Sequence, residues 1–102
     1  MKINSDFILR KINSADGELN VVIAVGKMAD KLNGYLTLNG SALFLWKELE
    51  KGGTEEDLVN ALLKEFDVSL EVAKNDVKSF ISTIRNLGAI DEWTFDNWVF
   101  KN

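Results

Sequence analysis

Short apolar runs separated by turn residues fill the first third of the chain, and apolar residues at helical spacing fill most of the remainder. Phe7-Ile8-Leu9-Arg10-Lys11-Ile12 is the first such run. Glu18-Leu19-Asn20-Val21-Val22-Ile23-Ala24-Val25 is the second, rich in the β-branched residues that suit a pleated, half-buried surface. Asn13-Ser14-Ala15-Asp16-Gly17 lies between them. Its Asp-Gly pair predicts a type I′ hairpin turn, in which both central residues take positive φ. Gly26 breaks the second run and a polar stretch follows through Lys31. Gly34-Tyr35-Leu36-Thr37-Leu38 then predicts a third strand.

From there the period changes. Asn39 or Ser41 can cap a helix, because a side-chain oxygen accepts from the exposed N–H groups of a first turn. Ala42, Leu43, Leu45, Trp46 and Leu49 recur at helical spacing until Gly52-Gly53 stops the run. Thr54-Glu55-Glu56-Asp57 has the form of a capping box, with Asp in place of the usual Glu. Leu58, Val59, Leu62, Leu63 and Phe66 supply the apolar face that follows. Asp67 or Ser69 opens a third and longest helix with apolar positions Ala73, Val77, Phe80, Ile81, Ile84 and Leu87, and Gly88 stands where a C′ glycine would end it. In register with Leu43 and Leu49, Trp46 is expected in the core. Strands followed by helices predict an α+β domain with its helices on one face of a small sheet.

Composition narrows the chemistry. The chain has 102 residues, the length of one self-sufficient domain. It holds neither His nor Cys, which removes the commonest general base, the thiolate metal sites and any disulfide framework. No Ser/His/Asp set or phosphate-cradling Gly loop is present, so no catalytic residue and no cofactor or metal site is expected. The net charge of −4 argues against a nucleic-acid partner, which needs a basic surface. No apolar run approaches the ~20 residues that span a bilayer, and the N-terminus lacks the apolar stretch of a secretory signal. A cytoplasmic protein without a membrane partner is the expectation.

The ordered motifs from Tyr35 onward resemble the PqqD family. Leu36-Thr37-Leu38-Asn39-Gly40-Ser41-Ala42-Leu43-Phe44-Leu45-Trp46 is similar to the family's strand ending in Leu-Asn, its small-residue helix start and its aliphatic-aliphatic-Trp face. Gly53-Thr54-Glu55-Glu56-Asp57-Leu58 resembles the turn into the second helix, and Leu62-Leu63-Lys64-Glu65-Phe66-Asp67-Val68 its end. Asp76-Val77-Lys78-Ser79-Phe80-Ile81 and Leu87-Gly88-Ala89-Ile90 resemble the third helix and its closing Leu-Gly-aliphatic signature. The likeness runs from residue 7 to residue 90. It departs at Lys11, where the family often has Pro, and at Gly40-Ser41, where Glu-Thr or Asp-Thr is common.

This resemblance implies a winged-helix-like fold, a three-stranded antiparallel sheet followed by three helices. It also implies a non-catalytic chaperone that binds the leader segment of a ribosomally made precursor peptide and presents it to a modifying enzyme, often a radical S-adenosylmethionine (SAM) enzyme. The leader would add as a strand along Gly34, Tyr35, Leu36, Thr37 and Leu38, against the third helix. Strand addition needs an open sheet edge, and this run has neither the charge nor the Pro that usually blunts one. At about 100° per residue, Lys74, Lys78 and Arg85 fall on one flank of that helix beside Ile81, with Asp76, Ser79, Thr83 and Asn86 on the other. The cationic flank, with Val77 and Ile81, is the expected rim of the groove and would attract an acidic leader.

Residues 1–90 are thus read as the peptide-binding domain and 91–102 as an aromatic tail. Trp93, Phe95, Trp98 and Phe100 make that tail apolar enough to mark an interface, either with its own domain or in a homodimer. The leader groove is one surface open to it. The competing reading is a winged-helix DNA-binding or transcription-associated domain. That reading needs a basic recognition helix, and the third helix also carries Glu71 and Asp76.

Overall fold

The computed structural model describes residues 1–29 and 35–91. Two long strands, β2 (Phe7–Ser14) and β3 (Gly17–Ala24), form an antiparallel hairpin that pairs continuously from Phe7↔Ala24 to Ser14↔Gly17. A short strand, β4 (Leu36–Leu38), pairs antiparallel with the other side of β3, giving the order β2-β3-β4. Three helices follow: α1 (Gly40–Glu50), α2 (Glu55–Glu65) and α3 (Leu70–Leu87). The expected α+β architecture is therefore present.

The sequence expectation omits a second, two-stranded sheet. A short β1 (Lys2–Ile3) pairs antiparallel with β5 (Ile90–Asp91), with Lys2 opposite Asp91 and Ile3 opposite Ile90. The Asn4 N–H also donates to the Ala89 carbonyl at 2.7 Å. These contacts tie the first residues to the end of α3, and the pairing reaches one residue past the expected domain boundary. The aromatic tail from residue 92, the homodimer expected through it, and Gly34 of the candidate strand all lie outside the described residues.

The hairpin turn differs from the expected type I′. Ala15 and Asp16 are its central residues and neither has positive φ; that conformation falls on Gly17 alone, at +114°. A negative-φ turn followed by a positive-φ glycine is the other common way to close a short hairpin. Ser14 fastens the turn: its hydroxyl donates to the Gly17 carbonyl at 2.8 Å and accepts from the Asp16 N–H at 3.2 Å.

The helix ends follow from local chemistry. Thr54 Oγ1 accepts from the Asp57 N–H at 3.1 Å, and Asp57 Oδ2 accepts from the Thr54 N–H at 2.9 Å, completing the capping box. Of the two candidates for α3, Ser69 is the cap, and its Oγ accepts from the Val72 N–H. Asn39 precedes α1 but its side chain makes no capping bond. Gly88 takes φ of +87° and donates to the Arg85 carbonyl, while the Ala89 N–H reaches the Ile84 carbonyl. These are the paired bonds of a Schellman ending.

The core lies between one face of the sheet and the helices. Leu9, Val22 and Leu36 stand in one row across the three strands and all pack into it. Leu45, Trp46 and Leu49 from α1, Leu58 and Leu62 from α2, and Ala73, Val77 and Ile84 from α3 meet them there, each almost wholly buried. Burying an aliphatic side chain of this kind contributes roughly 1.5–3 kcal/mol. Phe44 and Phe66 close one side of the core edge to face, with ring centroids 5.4 Å apart.

Candidate functional site

The strand β4 lies at the edge of its sheet. It pairs with β3 on one side, and on the other it has no strand partner among the described residues. Alternate residues of an antiparallel edge strand turn their N–H and C=O groups away from the sheet, so β4 offers backbone groups for a further strand. Its side chains divide by face. Leu38 is buried, Leu36 is half-buried and Thr37 is exposed, as is Tyr35 just before the strand.

A cleft of about 290 Å³ runs beside this edge, between β4 and α3, with the first turns of α1 at one end. Leu36, Thr37 and Leu38 form the strand wall. Ser41, Ala42 and Leu45 come from α1, and Asp76, Ser79, Phe80, Thr83 and Ile84 come from α3. Leu38, Leu45, Phe80 and Ile84 are buried and make an apolar floor. Hydroxyls and one carboxylate rim it. Thr83 Oγ1 is already engaged, donating to the Ser79 carbonyl one turn back at 2.9 Å. Among the described residues Asp76 is the one charged side chain lining the cleft.

The α3 residues expected at this groove are therefore elsewhere. Lys74 and Lys78 line a different cleft, of about 600 Å³, between α2 and α3, where they meet Glu55, Glu56, Val59, Asn60 and Leu70. Val77 and Ile81 are core residues, 0% and 4% exposed, and cannot meet a ligand without repacking. Arg85 is exposed and, seven residues beyond Lys78, lies on the same flank. The flank of α3 that lines the cleft beside β4 is the one with Asp76, Ser79 and Thr83, and the flank with Lys74 and Lys78 faces α2. Which flank meets the strand depends on how α2 and β4 sit against α3.

Among the described residues no group of three or more acidic side chains gathers as a metal site would require, and no helix is long and apolar enough to cross a membrane.

Comparison with known proteins adds a family and a fold. The sequence model of the family described as coenzyme PQQ synthesis protein D (PqqD) matches residues 20–90. No curated protein matches the sequence. Two solved structures share the fold. One is TbiB1 in complex with the TbiA(beta) leader peptide, with a TM-score of 0.71 and 20% identity over 92% of this chain and 99% of that one. The other is a lasso peptide synthetase B1 complexed with the leader peptide, with a TM-score of 0.56 and 21% identity over 83% of this chain and 96% of that one.

Proposed function

The chain belongs to the PqqD family, and from that premise we propose that it is a non-catalytic chaperone for the leader segment of a ribosomally made precursor peptide. The leader adds as a strand to the outer edge of β4 and lays alternate side chains into the cleft against α3. Tyr35 and the outward-facing backbone of Leu36, Thr37 and Leu38 hold its main chain. Asp76, Ser79, Phe80, Thr83 and Ile84 form the opposite wall. The bound precursor is then presented to a modifying enzyme, a radical SAM enzyme among the classes that fit, in the cytoplasm.

One observation carries this reading: an edge strand with no second strand partner among the described residues stands directly beside an apolar-floored cleft of a size to take side chains. Main-chain hydrogen bonds along such an edge give affinity for any extended peptide, and pockets for alternate side chains give selectivity. The two structures of similar fold, each solved with a leader peptide, support the same use of the fold. The DNA-binding alternative is the weaker reading, since the cleft between β4 and α3 is lined by a carboxylate and the chain is net acidic.

The test is an amide-shift titration of the full chain with the leader of a precursor encoded beside its gene. Shifts concentrated on residues 35–38 and 76–84 are the expected result. Absence of shifts with every neighbouring leader, or shifts confined to Lys74, Lys78 and the facing turn of α2, would sink the proposal.

A further inference from the structure

The cleft beside β4 is chemically lopsided. Its floor is apolar, from Leu38, Leu45, Phe80 and Ile84. Among the described residues its charge is a single carboxylate: Asp76 is half-buried and lies four residues, or about 6 Å of helix rise, before Phe80. No cation among the described residues lines the cleft, and the lysines of the same helix face the other way, toward Glu55 and Glu56.

From this we infer that the leader this chain selects carries a basic side chain two residues from an apolar anchor, the anchor over Phe80 and the cation facing Asp76. The inference rests on the reading of the cleft as a leader site and deepens it by naming the leader's chemistry. The spacing follows from strand geometry. Side chains two residues apart along an extended peptide point the same way and are separated by about 6.6–6.8 Å, close to one helical turn. A leader carboxylate at the same place would instead face Asp76 across a partly desolvated cleft, where like charges disfavour binding. The leader expected here is thus basic at this position, opposite in sign to the one a cationic rim would have drawn.

The experiment is a selection of short random peptides, displayed on their own messenger RNA, against the immobilised full chain and against Asp76→Asn and Asp76→Lys variants. A Ser79→Tyr variant, which fills the cleft mouth, serves as the counter-selection, and circular dichroism confirms that each variant folds. Peptides recovered on the natural chain are expected to pair an aliphatic or aromatic residue with Lys or Arg two positions away. Changing that Lys to Glu is expected to weaken binding on the order of fivefold, the scale of a partly exposed ion pair. Asp76→Asn should erase the preference, and Asp76→Lys should recover Asp or Glu instead. Cleft-dependent peptides with no charge preference, or with the same basic preference on Asp76→Asn, overturn the inference and leave the leader site standing. No recovered peptides, or peptides that bind Ser79→Tyr equally well, overturn the leader site itself.

Discussion

Trp46 has no exposed surface, yet its Nε1 finds no acceptor among the described residues. The indole ring fills the centre of the core, but a buried unpaired N–H costs on the order of 1–3 kcal/mol. The two effects oppose each other and give a measurable asymmetry. Trp46→Ala should cost about 3–5 kcal/mol in urea unfolding, because it removes the ring and leaves a cavity. Trp46→Phe should cost markedly less, since it keeps most of the ring volume while removing the unpaired donor. A Trp46→Phe cost as large as that of Trp46→Ala would mean that the N–H is satisfied and that losing its bond outweighs the ring volume kept. The position of this residue was legible in the sequence from its register with Leu43 and Leu49. Its missing partner was not, because that depends on which carbonyls surround the ring after packing.

At the scale of the element, helix ends were read more accurately than helix faces, and the reason is distance along the chain. The bonds between Thr54 and Asp57 span three residues, so the pattern that makes them is complete within one turn of sequence. Thr54→Ala or Asp57→Ala should each cost about 1 kcal/mol, and the double substitution less than the sum, because each single change already opens the box. Thermal unfolding of the four species measures that coupling. Gly88→Ala should cost about 1–2 kcal/mol through the left-handed backbone it must keep, and a Cβ there would also stand 3.2 Å from the Met28 methyl. By contrast β1 and β5 are two residues each, too short to carry any period, and escaped the sequence pattern altogether. The turn at Gly17 was located correctly but assigned the wrong geometry, since Asp16-Gly17 fits two hairpin turns whose difference lies in which residue takes positive φ. The two flanks of α3 were legible in the sequence, but which of them stands beside β4 was not. A helical wheel orders residues around an axis but contains no information about what stands beside it.

For the whole molecule, the two sides of α3 separate two surfaces that a charge pattern alone had merged. Lys78→Glu changes the cleft shared with α2 and should leave leader affinity within about twofold. Ser79→Tyr, the next residue in sequence, places a ring in the cleft beside β4 and should weaken leader binding at least tenfold with little change in stability, since Ser79 is exposed. Isothermal titration with the neighbouring leader compares the two; the reverse ranking would return the site to the cationic flank. The brevity of β4 has a consequence for timing. A strand spanning Leu36–Leu38 can give an added peptide only a few main-chain hydrogen bonds, each contributing about 0.5–1.5 kcal/mol net. Such a hold is shallow, and at an ordinary association rate of about 10⁵–10⁷ M⁻¹s⁻¹ a micromolar leader departs within seconds. Stopped-flow dissociation should show this rapid release. A precursor that needs several rounds of modification would then be carried by repeated short visits, with the enzyme and the chaperone exchanging it between them.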